Sequence, residues 1–259
     1  MPLHPSKTLK KKTRHRWRFL VEYAMLGLAL AVRLGECELQ TNDKAMHSGK
    51  GTPSLKRLPV LDHGWVQLED WMGGDSAVIR GARICYQSQA RTPNSDARLI
   101  RRLLRSEPKH NTVFEHAVFR FGVQCPIFVA RQWMRHRICT FNEKSLRYCL
   151  ADRLYYIPDN LEGDARDAYV AHMDASFDLY ERLVENGSPR EQARGILGTA
   201  VYTQFVWTVN AWSLMNWLHK RLDKGAQWEH RQYAKAILSL FEETMPITGG
   251  AFKEYILQV

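Results

Sequence analysis

The stretch Val118-Phe119-Arg120-Phe121-Gly122-Val123-Gln124-Cys125-Pro126-Ile127-Phe128-Val129-Ala130-Arg131-Gln132-Trp133-Met134-Arg135-His136-Arg137 changes its pattern once, at the proline. Before it, Val118, Phe119, Phe121 and Val123 alternate with polar positions and predict a strand over 118–124. Pro126 sits where a helix begins, because the N–H it lacks has no intrahelical partner on a first turn. A helix is therefore expected over 127–136. A strand running straight into a helix points to a fold that mixes the two.

Working outward, residues 64–70 alternate in the manner of a strand (Trp65, Val66, Leu68). Gly73-Gly74 breaks that run, and Asp75-Ser76 is placed to cap a helix over 77–86. A second short helix is expected over 96–104. Downstream, Met173, Phe177, Tyr180 and Val184 fall close to a 3.6-residue period in a helix over 171–185, which Gly187 ends. Ser188-Pro189-Arg190-Glu191 joins a capping box to a first-turn proline. Helices follow over 212–222 and 227–243, separated near Gly225. The class is α+β with much helix and no internal repeat. Neither GxGxxG nor a P-loop occurs, so no Rossmann or Walker site is supported.

Composition narrows the function. The 259 residues carry a formal charge of +10 and five cysteines, none in a CxxC pair. A disulfide framework and a zinc site are therefore not indicated, and a reducing cytoplasm is expected. The positive charge is uneven: residues 1–57 hold 12 Lys+Arg against 4 Asp+Glu, whereas the rest is close to balanced. That segment is basic over 7–18 and largely apolar over 19–34. It resembles a secretory leader, but Glu22 and Arg33 interrupt the apolar run. Three readings stand: a disordered or weakly helical extension, a translated region ahead of a later start such as Met46, and an export signal. The first is the expectation, with a domain over 58–259.

The chemistry concentrates in Gln132-Trp133-Met134-Arg135-His136-Arg137 and Asn142-Glu143-Lys144-Ser145-Leu146-Arg147-Tyr148. Arginine offers a fork of donors that keeps its charge at neutral pH. Several arginines beside amides and a hydroxyl suit a phosphorylated ligand with amide-like ring edges, as a nucleotide has. The plain alternative is a solvated basic helix end, which the apolar residues before it (Ile127, Phe128, Val129) disfavour.

Arg135-His136-Arg137, seven residues and then Ser145 reproduces the RHR-x7-S signature of the flavin-dependent thymidylate synthase family. Phe114-Glu115-His116, Trp207-Thr208-Val209-Asn210, Ser213-Leu214-Met215-Asn216 and Ala226-Gln227-Trp228-Glu229 also resemble that family, and the likeness runs from about Leu58 to the C-terminus. The resemblance implies a mixed fold of helices and antiparallel sheet, assembled as a homotetramer with active sites shared between subunits. It implies reductive methylation of dUMP to dTMP, with 5,10-methylenetetrahydrofolate as carbon donor and NADPH reducing a bound FAD. Carried over residue by residue, it places His110, Thr112, Arg135, His136, Arg137, Glu143, Asn210 and Asn216 on FAD. It places Gln132, Arg135, Glu143, Ser145, Arg147 and Arg194 on dUMP, and makes Arg221 the group that favours ionisation at N3 of uracil. No metal is expected, because His110, Glu115 and His116 lack further ligands at suitable spacing; no membrane partner is expected, and no zinc-finger, RNP or helix-turn-helix signature points to a nucleic acid.

Other readings of single residues stand beside these. Glu115 and His116 are expected to be a hydrogen-bonded core pair. Trp207, Trp212, Trp217 and Trp228 are expected in core or interface packing. Trp212 departs from the family, where an arginine near the flavin is common; Cys85, Val113, Thr140 and Phe141 are milder departures. Two rivals remain at this stage: a nucleic-acid-binding protein using its basic N-terminus, and an inactive relative with weakened flavin binding.

Overall fold

The computed structural model describes residues 57–85, 87 and 92–258. The expected extension lies outside them but for Arg57. Five strands form one antiparallel sheet: β1 (Arg57–Val60), β2 (Gly64–Met72), β3 (Val118–Pro126), β4 (Thr140–Glu143) and β5 (Tyr202–Asn210), in the order β1-β2-β3-β5-β4. The helices are α1 (Gly74–Ile84), α2 (Pro93–Arg105), α3 (Ile127–Trp133), α4 (Gly163–Glu185), α5 (Arg190–Ala193), α6 (Ala211–Leu222), α7 (Trp228–Thr244) and α8 (Pro246–Phe252). Among the described residues no helix is long and apolar enough to cross a membrane.

The quoted stretch lies at the centre. β3 and β5 pair along their whole length, from Val118↔Asn210 to Pro126↔Tyr202, and each continues without a loop into a helix, α3 and α6. The second half of β3 is buried on both faces, so its alternation fades after Phe121. Gln124 tolerates this because it is satisfied: Nε2 donates to the His63 carbonyl (2.6 Å), Oε1 accepts from Gln204 (2.6 Å), and its carbonyl accepts from the Tyr233 hydroxyl (2.8 Å). The core joins β3 and β5 to α6 and α7 through Phe119, Phe121, Trp207, Trp217, Tyr233 and Phe241, all fully buried. A smaller cluster (Met173, Phe177, Tyr180, Ala193, Val201) holds α4 against the segment leading to β5.

Local details differ from expectation in physically informative ways. Helix α3 ends at Trp133 rather than His136: Arg135 and His136 donate three residues back, to Gln132 (3.4 Å) and Trp133 (3.2 Å), in a tightened last turn. The chain must leave the helix there to return as β4 beside β5. The 188–191 capping box does not form. The Ser188 N–H is already bonded to the Leu183 carbonyl (2.9 Å) and Gly187 N–H to Val184 (3.0 Å), a Schellman ending of α4 with Gly187 at φ +82°. Glu191 pairs with Arg147 instead (3.1 Å).

Nor does Asp75 cap its own helix. At Gly73 (φ +97°) a Cβ would lie 2.7 Å from the His116 carbonyl oxygen, so only glycine lets the chain turn from β2 into α1. Asp75 then reaches across to the first turn of α8 and accepts from Ile247 N (2.9 Å), Thr248 N (3.0 Å) and Thr248 Oγ1 (2.5 Å). Glu115 and His116 are exposed, not a core pair; their 3₁₀ turn (Thr112–His116) buries Val113 and Phe114 instead. Trp207 and Trp217 are in the core, Trp212 is half-buried against Phe114, and Trp228 is 44% exposed. Asp75→Ala should lower stability by about 1 kcal/mol, the usual cost of a lost carboxylate cap, as measured by urea unfolding. Asp75→Asn should lose less, and equal losses would mean that hydrogen bonding is not what Asp75 contributes.

Candidate active site

The turn after α3 and one side of α6, from its first turn to its last, enclose a cavity of about 300 Å³. Arg135, His136, Arg137, Ile138 and Cys139 line it from the turn; Ser213, Asn216, Lys220 and Arg221 line it from α6; Trp207 and Val209 of β5 close it. Position on α6 follows from helix geometry, since Ser213, Asn216 and Lys220 stand three and four residues apart on one face. Asn210 starts that helix: its side-chain oxygen accepts from the Ser213 N–H (2.8 Å).

The electrostatics of this cavity are one-sided. Arg135, Arg137, Lys220 and Arg221 line it and no carboxylate does. None of the four has an acidic partner within ion-pair distance among the described residues. Arg221 is half-buried; its Nη2 donates to the Gln132 carbonyl (2.9 Å) while its Nε is buried without a partner. Burial lowers its pKa. A cation merely ending a helix would turn toward that helix's own carbonyls; this one turns to α3 and keeps donors free. Clustered like charges repel, and an anion bound among them relieves both the repulsion and the unmade hydrogen bonds.

His136 is held neutral there. Burial first, then the Arg221 and Lys220 charges, push its pKa down to about 4. The Cys139 thiol donates to the His136 carbonyl (3.0 Å) and burial raises its pKa, so it is held as a thiol, a poor nucleophile. Cys149 is exposed.

The remaining expected residues occupy other places. Gln132 is next to the cavity but not in its lining, its amide bonded to Gln227 (2.7 Å) and facing His230 (3.3 Å) while its carbonyl accepts from Arg221. Glu143 ends β4 and accepts from the Thr203 hydroxyl (2.8 Å). Ser145 and Arg147 follow it, with Arg147 Nε paired to Glu191 of α5 and Arg194 exposed on the next turn. His110 and Thr112 are exposed ahead of β3, outside the cavity lining. One chain thus unites Arg135, His136, Arg137, Asn216 and Arg221 and leaves the others around it. Lys220 and His230 were missed. The helical spacing from Asn216 could have found Lys220, whereas nothing in the sequence marks His230. Among the described residues no group of three or more His, Cys, Asp or Glu is arranged to hold a metal ion.

Comparison with known proteins decides the family. The family model described as thymidylate synthase complementing protein matches residues 67–247. The flavin-dependent thymidylate synthase of Thermosipho africanus is 44% identical over 215 residues, covering 76% of this chain and 93% of that protein. The chain belongs to the flavin-dependent thymidylate synthases. The enzyme of that name from Thermus thermophilus is 39% identical over 217 residues, covering 78% of this chain and 80% of its own. Among solved structures, a UMP/dUMP methylase from Streptomyces cacaoi bound with 5-Br dUMP superposes with a TM-score of 0.70 at 28% identity, over 77% of this chain and 98% of that one. In this family member the Arg-His-Arg of the RHR-x7-S signature lies in the turn that lines the cationic cavity, and its Ser145 lies beyond β4, outside the lining.

The neutral His136 has a consequence for stability. Its ordinary pKa is 6.5 and its folded value about 4. Between these the unfolded chain takes up a proton that the folded chain refuses, so stability falls as pH drops through that window and the loss levels off below it. Melting temperatures from pH 7 to pH 4 should fall less steeply for His136→Asn than for the parent chain. Parallel curves would show that His136 does not carry the linkage.

Proposed function

We propose that the chain is a working flavin-dependent thymidylate synthase that converts dUMP to dTMP, with 5,10-methylenetetrahydrofolate as carbon donor and NADPH as reductant by way of FAD. The observation that carries this reading is the convergence of Arg135, Arg137, Lys220 and Arg221 on one cavity with no carboxylate among them. The donor set fits a flavin nucleotide and a nucleoside monophosphate, both anionic and rich in acceptor edges. Arg135, His136, Arg137 and Asn216 would hold FAD, aided by His110, Thr112, Glu143 and Asn210. When bound, FAD supplies the hydride equivalent that completes the methyl group.

Gln132, Arg135, Glu143, Ser145, Arg147 and Arg194 hold dUMP in this scheme. Arginine cannot serve as a general base. Arg221 therefore acts by charge: it stabilises negative charge on the uracil ring and so raises the nucleophilicity of C5. A neutral His136 beside it adds no competing charge. A thiolate nucleophile is not needed, in line with the protonated Cys139.

A homotetramer with shared sites completes the scheme. A volume of about 300 Å³ is at the lower end of small-molecule pockets, which run from roughly 300 to 1,000 Å³, and FAD, dUMP and a folate do not fit it together. His110, Thr112, Arg147 and Arg194 lie outside its lining, where a second copy can bring its own equivalents. The cytoplasm is the compartment that supplies these substrates, and residues 1–57 carry none of the residues that the scheme uses.

The direct test is an absorbance spectrum with and without added FAD, followed by NADPH oxidation with and without dUMP. A flavin spectrum and dUMP-stimulated oxidation are expected; the absence of both after reconstitution would refute the reading.

Kinetics should separate holding from activation. Arg194→Ala should raise the dUMP KM more than it lowers kcat, because an anchor serves ground and transition states alike. Arg221→Ala should lower kcat by roughly 10²–10³, the usual loss for one donor to a developing charge, with part regained in Arg221→Lys. Near-normal kcat for Arg221→Ala at saturating dUMP would rule out activation.

A further inference from the structure

His230 is fully buried at the third position of α7, stacked on Trp133 (ring centroids 5.4 Å apart, planes at 29°) and close to Trp217 (5.5 Å). A buried imidazole needs its polar atoms accounted for. Nδ1 lies 3.3 Å from Gln132 Oε1, and Nε2 has no partner. Gln132 is tied at three points. Its carbonyl accepts from Arg221 (2.9 Å), its Nε2 donates to Gln227 Oε1 (2.7 Å), and its Oε1 faces His230.

These bonds set one another's polarity, and the unpartnered His230 Nε2 chooses between the two possible sets: reversing both amides would put the ring proton on Nε2, a buried donor with no acceptor. With Nε2 donating to Gln227, the side of the Gln132 amide toward His230 is the oxygen, and only an Nδ1–H imidazole completes that pair. Burial, with Arg221 and His136 nearby, pushes the His230 pKa down to about 3, so the ring is neutral and a single tautomer is required. The Gln132 amide is thereby locked in one of its two flip states, with its second N–H unused by the protein and its Oε1 directed away into the core.

We propose that His230 is a positioning residue that sets base selectivity: it holds the Gln132 amide so that an N–H, not the carbonyl oxygen, is offered to the pyrimidine. This rests on the reading that Gln132 contacts dUMP. The relevant chemical difference is small. Uracil presents an acceptor oxygen at C4, where cytosine presents an amino donor. An amide locked with N–H outward favours the first and opposes the second, and an amide free to flip accommodates both. His230 acts through Gln132 without touching the nucleotide.

The test uses the flavin-loaded full chain and titrates dUMP and dCMP calorimetrically. His230→Phe keeps the ring volume and removes the donor; His230→Asn keeps a donor close to the Nδ1 position. In His230→Phe the dUMP:dCMP affinity ratio should fall by roughly 3- to 10-fold, the worth of one neutral hydrogen bond, with His230→Asn recovering most of it. A ratio unchanged in a folded His230→Phe overturns the proposal. Gln132→Ala distinguishes the two levels: if it leaves dUMP affinity unchanged, the underlying reading of Gln132 is wrong. If it weakens dUMP while His230→Phe keeps the ratio, only the positioning role is. Should His230→Phe not fold, ¹⁵N chemical shifts of histidine-labelled protein decide in the parent chain, with the His230→Asn spectrum giving the assignment. A neutral Nδ1–H ring from pH 5 to 8 supports the proposal, and an Nε2–H ring overturns it.

Discussion

The nine-residue ladder between β3 and β5 is the constraint on which everything else hangs. The two strands are antiparallel and each becomes a helix with no intervening loop, so α3 leaves one end of the ladder and α6 the other. Both helices must lie back over the same sheet to bury their apolar faces. At about 1.5 Å per residue, the 12 residues of α6 return its last turn toward the end where α3 begins. Arg221 there meets the Gln132 carbonyl at 2.9 Å. The site is thus a by-product of sheet register. A slip of one residue between β3 and β5 would turn Trp207 outward and move α6 with it.

Aromatic packing makes that geometry rigid. Trp133 contacts Phe205, Trp207, Trp217, His230 and Tyr233, with ring centroids between 4.5 and 5.9 Å. Trp133 ends α3, two residues before Arg135, so a fully buried ring with five ring neighbours adjoins the turn that lines the cavity. Truncating such a residue typically costs about 3–5 kcal/mol. Four cations held together without an acid repel one another, and a closely packed scaffold beneath them opposes their spreading apart.

Trp212 shows how a family departure is absorbed. It sits in the first turn of α6 and stacks on Phe114 (6.4 Å, planes at 30°), joining the 3₁₀ turn that carries Thr112 to the helix that carries Asn216. The position supplies an aromatic contact and no charge, and the cations of the cavity come from other positions. The structure thus offers no reason to read the chain as a fold emptied of its site.

The sequence by itself determined the mixed class, the strand and helix at 118–133, the helices near 171–185, 212–222 and 227–243, and the family, through RHR-x7-S and the motifs around it. These are local: alternation, helical period, proline and glycine act over a few residues, and a motif is a string. Only the tertiary structure decided which ends those elements reach. Asp75 caps α8 rather than α1 because its carboxylate finds the free N–H groups of Ile247 and Thr248, over 170 positions away. The Ser188 box fails because a Schellman bond had already taken its N–H. Glu115 and His116 face solvent because a 3₁₀ turn has room to bury only Val113 and Phe114. His230 gained its place beside Gln132 from the packing of α7 on α3, and no local pattern marks it. Hydrogen bonds and charge act through space, so chain distance carries no information about them, and that is why Arg135, His136, Arg137, Asn216 and Arg221 could each be named from the sequence while their meeting in one cavity with Lys220 could not.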